Sequence, residues 1–171
     1  MSRYVFGPIA SRRLGRSLGV DLVRGEPIPQ GVYHIVCEIL VRHTDGDILL
    51  MRRDLSKQIY PGAWEASAGG SALKGEDPLT CAKRELREET GIGDGEFEFV
   101  DRWPFRDGGL FHGWVCTTNW EKSAITLQEG ETMDTRWITP EEFRTFLHTP
   151  EFLEVQRERW LDAYRQMGYT E

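Results

Sequence analysis

The sequence predicts a domain of the α/β class, in which a mixed β-sheet packs between helices. Three observations indicate this class. Runs rich in apolar and β-branched residues at 32–43 and 48–51 have the composition of strands. Residues 78–90 carry apolar side chains at helical spacing, and further strand and helix patterns follow towards the C-terminus. A chain of 171 residues is long enough to bury a core as one domain.

The chain is predicted to divide into two parts at about residue 27. Residues 1–27 include a basic, glycine-punctuated stretch and are predicted to form an N-terminal arm or edge hairpin. Residues 28–171 are predicted to form the main domain. Within it, an Asp-Gly turn at 44–47 joins the two runs at 32–43 and 48–51, which predicts a β-hairpin.

The elements after the central helix follow local signals. Residues 96–105 and 110–118 are predicted strands joined by a glycine turn, and 134–138 is a predicted last strand. Thr139 and Glu142 form a capping box that opens a short helix. A second C-terminal helix is expected from Thr149-Pro150, and its packing stripe consists of Leu153, Trp160, Leu161 and Tyr164.

The helix at 78–90 carries the acidic residues that suggest a site. Asp77 is a natural N-cap before Pro78, and Gly91 is a natural stop. Nominal helical geometry places Glu85, Glu88 and Glu89 within an arc of roughly 100°. Carboxylates at this spacing repel one another, so a cation is expected to compensate. Oxygen ligands of this kind suit Mg²⁺, with Mn²⁺ as a possible substitute.

Composition limits the classes of function. The net charge of −7 gives no basic surface for nucleic acid or membrane, so a small-molecule partner is favoured. No apolar run approaches the roughly 20 residues of a membrane span. The early arginines are not followed by an apolar core of 7–15 residues, so a secretory signal is not expected at the N-terminus. Three cysteines without CxxC spacing indicate reduced thiols, and hence a cytoplasmic location.

The stretch from residue 70 to residue 92 resembles the Nudix box in full, over 23 residues. The matching positions are Gly70, Glu76, Arg84, Glu85, Leu86, Glu88, Glu89, Gly91 and Ile92. The resemblance implies a Nudix α/β/α sandwich with a mixed sheet. It also implies Mg²⁺-dependent hydrolysis of the diphosphate bond in a nucleoside diphosphate linked to another moiety.

The same resemblance implies roles for individual residues. The metal ligands would be the carboxylates of Glu85, Glu88 and Glu89 and the Gly69 carbonyl. Arg84 would orient the glutamates and Glu76 would support the loop. The catalytic base is either a box glutamate or a residue of the loop before the last strand, where Glu131 is preferred to Glu129.

Basic and aromatic residues outside the box are candidate substrate contacts. Three cations lie just ahead of the box and are candidate phosphate or carboxylate ligands: Arg52, Arg53 and Lys57. Most aromatic side chains at 103–114 are expected in the core, but one or two could stack on a base or form a pocket wall.

Two alternative functions remain open. The segment PGAWEASAGG, with GVYHIV upstream, resembles the branch that includes isopentenyl-diphosphate isomerases. Those enzymes carry a catalytic cysteine and a metal-binding histidine hereabouts, whereas this chain has Ser67 to Ser71. The other alternative is a non-catalytic Nudix module that binds a nucleotide as a regulator. The physiological substrate and the choice between monomer and homodimer are left undetermined.

Overall fold

The strands and helices occur in the predicted order. The computed structural model describes residues 25–105 and 108–171, together with the short segments 5–6, 8–10, 16–17 and 22–23. The elements are β1 (Val5–Phe6), β2 (Pro8–Ala10), β3 (Arg16–Ser17), β4 (Leu22–Val23), β5 (Val32–His43), β6 (Ile48–Arg53), β7 (Trp64–Glu65), β8 (Ala68–Ser71), α1 (Pro78–Thr90), β9 (Glu96–Pro104), β10 (Gly109–Thr118), a 3₁₀ turn (Lys122–Ala124), β11 (Thr132–Ile138), α2 (Pro140–Phe146) and α3 (Glu154–Gln166).

Strand β5 is the centre of the sheet. It pairs in parallel with β10 along ten residues, from His34 opposite Gly109 to His43 opposite Thr118. On its other side, β5 pairs antiparallel with β8 and, at Arg42, with β6. The main order is β11-β6-β5-β10-β9, so parallel and antiparallel pairs occur in one mixed sheet. The length of β5 therefore brings β8 and the loop after it to the middle of the sheet.

The two faces of the sheet carry separate cores. Ile39 and Val41 of β5 pack with Leu86 of α1 in one core. Leu40 points the other way and packs in a second core with Trp160 of α3. This alternation follows from the two-residue period of a strand. Helices therefore cover both faces, and the predicted α/β sandwich with a mixed sheet is confirmed.

The ends of α1 agree with the sequence prediction. The Asp77 carboxylate accepts hydrogen bonds from the backbone N–H groups of Leu79 and Thr80. Pro78 occupies the first turn, where its missing N–H removes no helical bond. Gly91 has a φ of 79°, and its N–H donates to the Arg87 carbonyl. A left-handed glycine after the last turn is a common helix stop.

The start of α3 differs from the sequence prediction. The helix begins at Glu154 rather than at Thr149-Pro150. The preceding residues bond to β7 instead: the Trp64 N–H donates to the Glu151 carbonyl, and the Leu153 N–H donates to the Trp64 carbonyl. A backbone group engaged with another strand cannot also take part in a helix. Trp160 and Tyr164 are buried as predicted, whereas Leu161 is half-buried.

The N-terminal arm predicted for residues 1–27 falls partly outside the described residues, and its boundary stays a prediction. Of the described segments, β1 pairs with β4, and β2 pairs with β3 and with residues 32–34 of β5. The three cysteines are free and buried. Among the helices of the described segments, none combines the length and apolarity that crossing a membrane requires.

Candidate active site

Two adjacent glycines in β8 allow close approaches, one to the neighbouring strand β5 and one to helix α1. A Cβ atom at Gly69 would lie 2.6 Å from the Cys37 carbonyl oxygen of β5, which is too close for a side chain. A Cβ atom at Gly70 would lie 2.3 Å from the carboxylate carbon of Glu85. The absence of a side chain at Gly70 therefore leaves room for the Glu85 carboxylate, and its absence at Gly69 lets β8 lie close to β5.

Arg84 holds the loop and the helix together. Its Nε and Nη2 atoms donate to the two carboxylate oxygens of Glu76 at 2.7 and 2.9 Å. Its Nη1 atom donates to Glu85 at 2.8 Å and to Glu88 at 3.0 Å. The Glu76 carboxylate also accepts from the Leu73 N–H, which closes the loop before α1. These bonds lower the pKa of Glu76, with the Arg84 hydrogen bond as the main cause.

Glu89 is the most buried of the box carboxylates. Its residue exposure is 7%, and the Gly69 N–H donates to it at 3.2 Å. Burial raises the pKa of Glu89 well above its ordinary value, and the neighbouring charges of Glu65 and Glu85 add to the effect. Burial likewise raises the pKa of Glu85, although Arg84 opposes the shift. Both carboxylates are therefore held where a positive ligand would stabilise their charge.

A cleft of about 480 Å³ collects most of the predicted site residues. It is lined by Lys57, Gly69, Gly70, Ser71, Leu73, Arg84, Glu85, Glu88, Glu89, Gln128 and Glu131. Lys57 makes a salt bridge with Glu131, which lies in the loop before β11. The sheet pairing thus brings a loop glutamate and a lysine to the carboxylates of α1.

Three candidates do not line this cleft. The Arg52 Nε donates to the Gly62 carbonyl, and its guanidinium lies 5.8 Å from the Trp64 ring centroid. Arg53 pairs with Glu65, with 2.9 Å between Nη1 and Oε1, and lines a neighbouring cavity. Glu129 is exposed, and Glu131 is the loop glutamate that lines the cleft.

Sequence reasoning missed Glu65. This residue is in β7, and its charge contributes to the raised pKa of Glu89. Burial raises the pKa of Glu65 itself, against the opposing charge of Arg53. The sequence did contain a signal for Glu65: it lies between Trp64 and Ala66 in an otherwise apolar segment before the box. A carboxylate in such a segment needs a charged partner, because glutamates are rarely buried without one.

The donor set fits a hard divalent cation. Carboxylate oxygens are the ligands that Mg²⁺ prefers, and the cleft presents those of Glu85, Glu88 and Glu89. Among the described residues, no three His, Cys, Asp or Glu side chains already form a ligand group. Arg84 instead bonds Glu85 and Glu88. A bound cation would therefore take over part of the neutralisation that Arg84 supplies here.

Ser67 lies in the segment where the isomerases carry their catalytic cysteine and metal-binding histidine, so its environment bears on the isomerase alternative. The residue is fully buried, its Oγ donates to the Leu49 carbonyl at 2.6 Å, and it accepts from the Val41 N–H at 2.9 Å. Its hydroxyl thus joins the backbones of β5 and β6. A group with these two bonds is engaged in the sheet rather than presented to a substrate.

Replacing Ser67 with Ala is expected to lower stability and to leave catalysis almost unchanged. The change leaves a buried N–H and a buried carbonyl without their partner, which costs about 1–3 kcal/mol in the free energy of unfolding. Urea denaturation measures this loss, and Ser123→Ala in the exposed 3₁₀ turn is the matched control. A large loss of activity in folded Ser67→Ala would contradict this structural role.

The fold and the cleft together define a class of protein: an α/β sandwich whose helix and loops present several carboxylates in one cleft. Comparison with known proteins narrows this class to a family. A NUDIX domain model matches residues 32–162. An uncharacterized Nudix hydrolase of Listeria monocytogenes is 33% identical over 136 residues, which cover 79% of this chain and 80% of the relative. An uncharacterized Nudix hydrolase of Pseudomonas aeruginosa is 34% identical over 152 residues, which cover 86% and 89%.

Solved structures have the same fold. A crystal structure of DR0079 from Deinococcus radiodurans matches with a TM-score of 0.68 at 18% identity, and covers 86% of this chain and 91% of that one. The MutT protein from Methanosarcina mazei matches with a TM-score of 0.59 at 23% identity, and covers 78% and 94%. The chain belongs to the Nudix family. The two bacterial relatives are uncharacterized, so the comparisons do not show the resemblance to the isomerase branch.

Proposed function

We propose that this protein hydrolyses the diphosphate bond of a nucleoside diphosphate linked to another moiety, in a reaction that depends on Mg²⁺. The observation that carries the proposal is the composition of the cleft. Four carboxylates face two cations there, which gives a formal charge of −2 when all six groups are ionised. An anionic diphosphate would be repelled from such a cleft unless divalent cations were bound in it.

The chain's own residues have separate tasks in this proposal. Glu85, Glu88, Glu89 and the Gly69 carbonyl would hold the metal. When bound, Mg²⁺ would neutralise the diphosphate and lower the pKa of a water molecule. Arg84 fixes the positions of Glu85 and Glu88 through its two hydrogen bonds. Either a box glutamate or Glu131 would accept the proton of the attacking water.

Lys57 fits a role in substrate binding better than Arg52 does. Lys57 lines the cleft and carries its ammonium group on a flexible stem, whereas Arg52 does not line the cleft and its guanidinium donates to a backbone carbonyl. An incoming phosphate oxygen would compete with Glu131 for the Lys57 ammonium. That exchange would release the Glu131 carboxylate at the moment when the substrate arrives.

A phosphate-release screen tests the proposal. The panel comprises nucleotide sugars, ADP-ribose, dinucleoside polyphosphates, NADH, nucleoside di- and triphosphates and prenyl diphosphates, each with Mg²⁺, with Mn²⁺ and with chelator. We expect metal-dependent phosphate release, through a coupled phosphatase, from nucleoside diphosphate derivatives. We also expect Mg²⁺ to raise the melting temperature, because a ligand that binds only the folded state stabilises it. No turnover and no metal effect on folded protein would instead favour the regulatory module.

A further inference from the structure

The loop at 54–62 joins β6 to β7 and brings Lys57 to the carboxylate cleft. Its apolar side chains are not packed in the core, since Leu55 is 66% exposed and Ile59 is 64% exposed. A segment that buries so little apolar surface opens easily unless polar contacts hold it. The position of Lys57 therefore depends on the hydrogen bonds and ion pairs of this loop.

The Arg53 guanidinium bonds the second half of the loop to the sheet. Its Nε and Nη2 atoms donate to the Ile59 carbonyl at 3.3 and 3.0 Å. Its Nη1 atom donates to the Glu65 carboxylate of β7 at 2.9 Å, and both of these charged side chains are only 18% exposed. Hydrogen bonds of charged groups are stronger than those of neutral groups. Arg53 thus connects the loop to a strand through its own side chain.

The backbone beside the Ile59 carbonyl is strained. The next residue, Tyr60, has a φ of 53°, which a bulky side chain rarely adopts. Such a conformation persists only where the surrounding contacts fix it. The two bonds from Arg53 end at the peptide group that precedes Tyr60. Their loss is therefore expected to let the loop relax to another conformation.

The first half of the loop is bound at the cleft. The Asp54 N–H donates to the Glu131 carbonyl at 2.9 Å, and the Lys57 ammonium makes its salt bridge with the Glu131 carboxylate. A substrate phosphate that binds Lys57 would replace this salt bridge. Arg53 does not line the cleft, so its bonds can stay in place while the substrate is bound.

We propose that Arg53 is a positioning residue, which acts on the substrate only through the loop that carries Lys57, and that Glu65 holds its guanidinium in place. The proposal rests on the function proposed above and deepens it. Direct contact between Arg53 and a diphosphate fits less well, because its Nε, Nη1 and Nη2 atoms all donate to protein groups outside the cleft.

Limited proteolysis tests the hold of Arg53 on the loop without requiring turnover. Trypsin cleaves after lysine, so cleavage between Lys57 and Gln58 reports how often the loop opens. We expect Arg53→Gln to be cleaved there about tenfold faster than the wild type, because bonds of a charged group are lost. Mass spectrometry identifies the fragments. Arg144→Gln is the matched control, since the Arg144 Nε on α2 also donates to a backbone carbonyl, that of Gly168.

Equilibrium binding tests whether Arg53 acts through Lys57. Calorimetry measures the Kd of methylenediphosphonate, a diphosphate analogue that resists hydrolysis, with Mg²⁺ on the full chain. We expect Arg53→Gln and Lys57→Gln each to bind about tenfold more weakly. The double variant should bind no more weakly than Lys57→Gln, because residues that act through one contact are not additive. Arg144→Gln should keep the wild-type Kd.

The outcomes separate this proposal from the preceding one. Unchanged cleavage after Lys57 in Arg53→Gln, or equally faster cleavage at every site, would overturn the hold on the loop. Additive losses of binding would show that Arg53 contacts the diphosphate itself and would overturn the positioning role. A wild type that does not bind the analogue would contradict the proposed function, whereas faster cleavage confined to Lys57 would still support the hold of Arg53 on the loop. Far-ultraviolet circular dichroism on each variant confirms that it is folded.

Discussion

Glu89→Gln is expected to lower metal-dependent turnover by about 10²- to 10⁴-fold, the range associated with loss of an acid–base group. Glu89 is the most buried carboxylate of the cleft, and it accepts a hydrogen bond from the Gly69 N–H. The amide keeps the shape of the side chain but removes its charge and its ability to accept a proton. Steady-state kinetics with Mg²⁺ measure the effect. Glu98→Gln on β9, at an exposed position outside the cleft, is the matched control.

The same variant is expected to change how stability depends on pH. Because the folded protein raises the pKa of Glu89, the folded state binds a proton that the unfolded chain has released. Stability in chelator should therefore fall as the pH rises from about 4.3, the ordinary pKa of Glu, through the raised value. Glu89→Gln removes this contribution, so its stability should fall less steeply, and Glu85 and Glu65 account for the remaining slope. Denaturation midpoints of the wild type and of Glu89→Gln are compared from pH 4 to pH 9. The same dependence of stability on pH in both proteins would contradict the raised pKa of Glu89.

Substitutions at the two glycines of β8 are expected to separate activity from stability. In Gly70→Ala the new Cβ meets the end of the flexible Glu85 side chain, which can move away. Displacing this carboxylate should lower turnover by about 10²-fold, a loss that a 1 Å misplacement can cause. In Gly69→Ala the Cβ meets the backbone carbonyl of Cys37 in the central strand, which cannot move without disturbing the sheet. That variant should lose about 1–3 kcal/mol in the free energy of unfolding.

Steady-state kinetics and urea denaturation on both glycine variants check these two expected effects. Gly75→Ala is less informative as a control, because Gly75 has a φ of 85°. Gly93→Ala serves better, because its Cβ would lie 3.9 Å from the Trp120 ring, an ordinary contact, and Gly93 does not have a left-handed φ. Full activity in Gly70→Ala would contradict the placement of Glu85 in the catalytic cleft. Wild-type stability in Gly69→Ala would contradict the close approach of β8 to β5.

Local signals were enough to predict most of the elements. The bounds of β5, 32–43, agree with the apolar run, because burial on both faces leaves a continuous signal in the sequence. The bounds of α1 agree with Asp77 and Gly91, because caps act within one turn of a helix. The placement of Glu85, Glu88 and Glu89 on one helix face likewise depends only on helical geometry.

Contacts between distant segments needed the tertiary structure. Lys57 and Glu131 are 74 residues apart, and Glu38 and Arg159 are 121 residues apart. No periodicity in either segment predicts these pairs, because they depend on the order and register of the strands. The later start of α3 has the same cause, since its predicted first turn bonds to Trp64 instead.

The sequence by itself determined that this protein has a Nudix box with all its carboxylates, a capped helix to carry them and a mixed sheet to support that helix. Only the tertiary structure decided that Glu131 and Lys57 join those carboxylates, that Arg52 does not, and that Glu65 lies next to them. The physical reason is that helix faces and strand periods are set by neighbouring residues. A cleft is formed by segments that meet only after the sheet has paired.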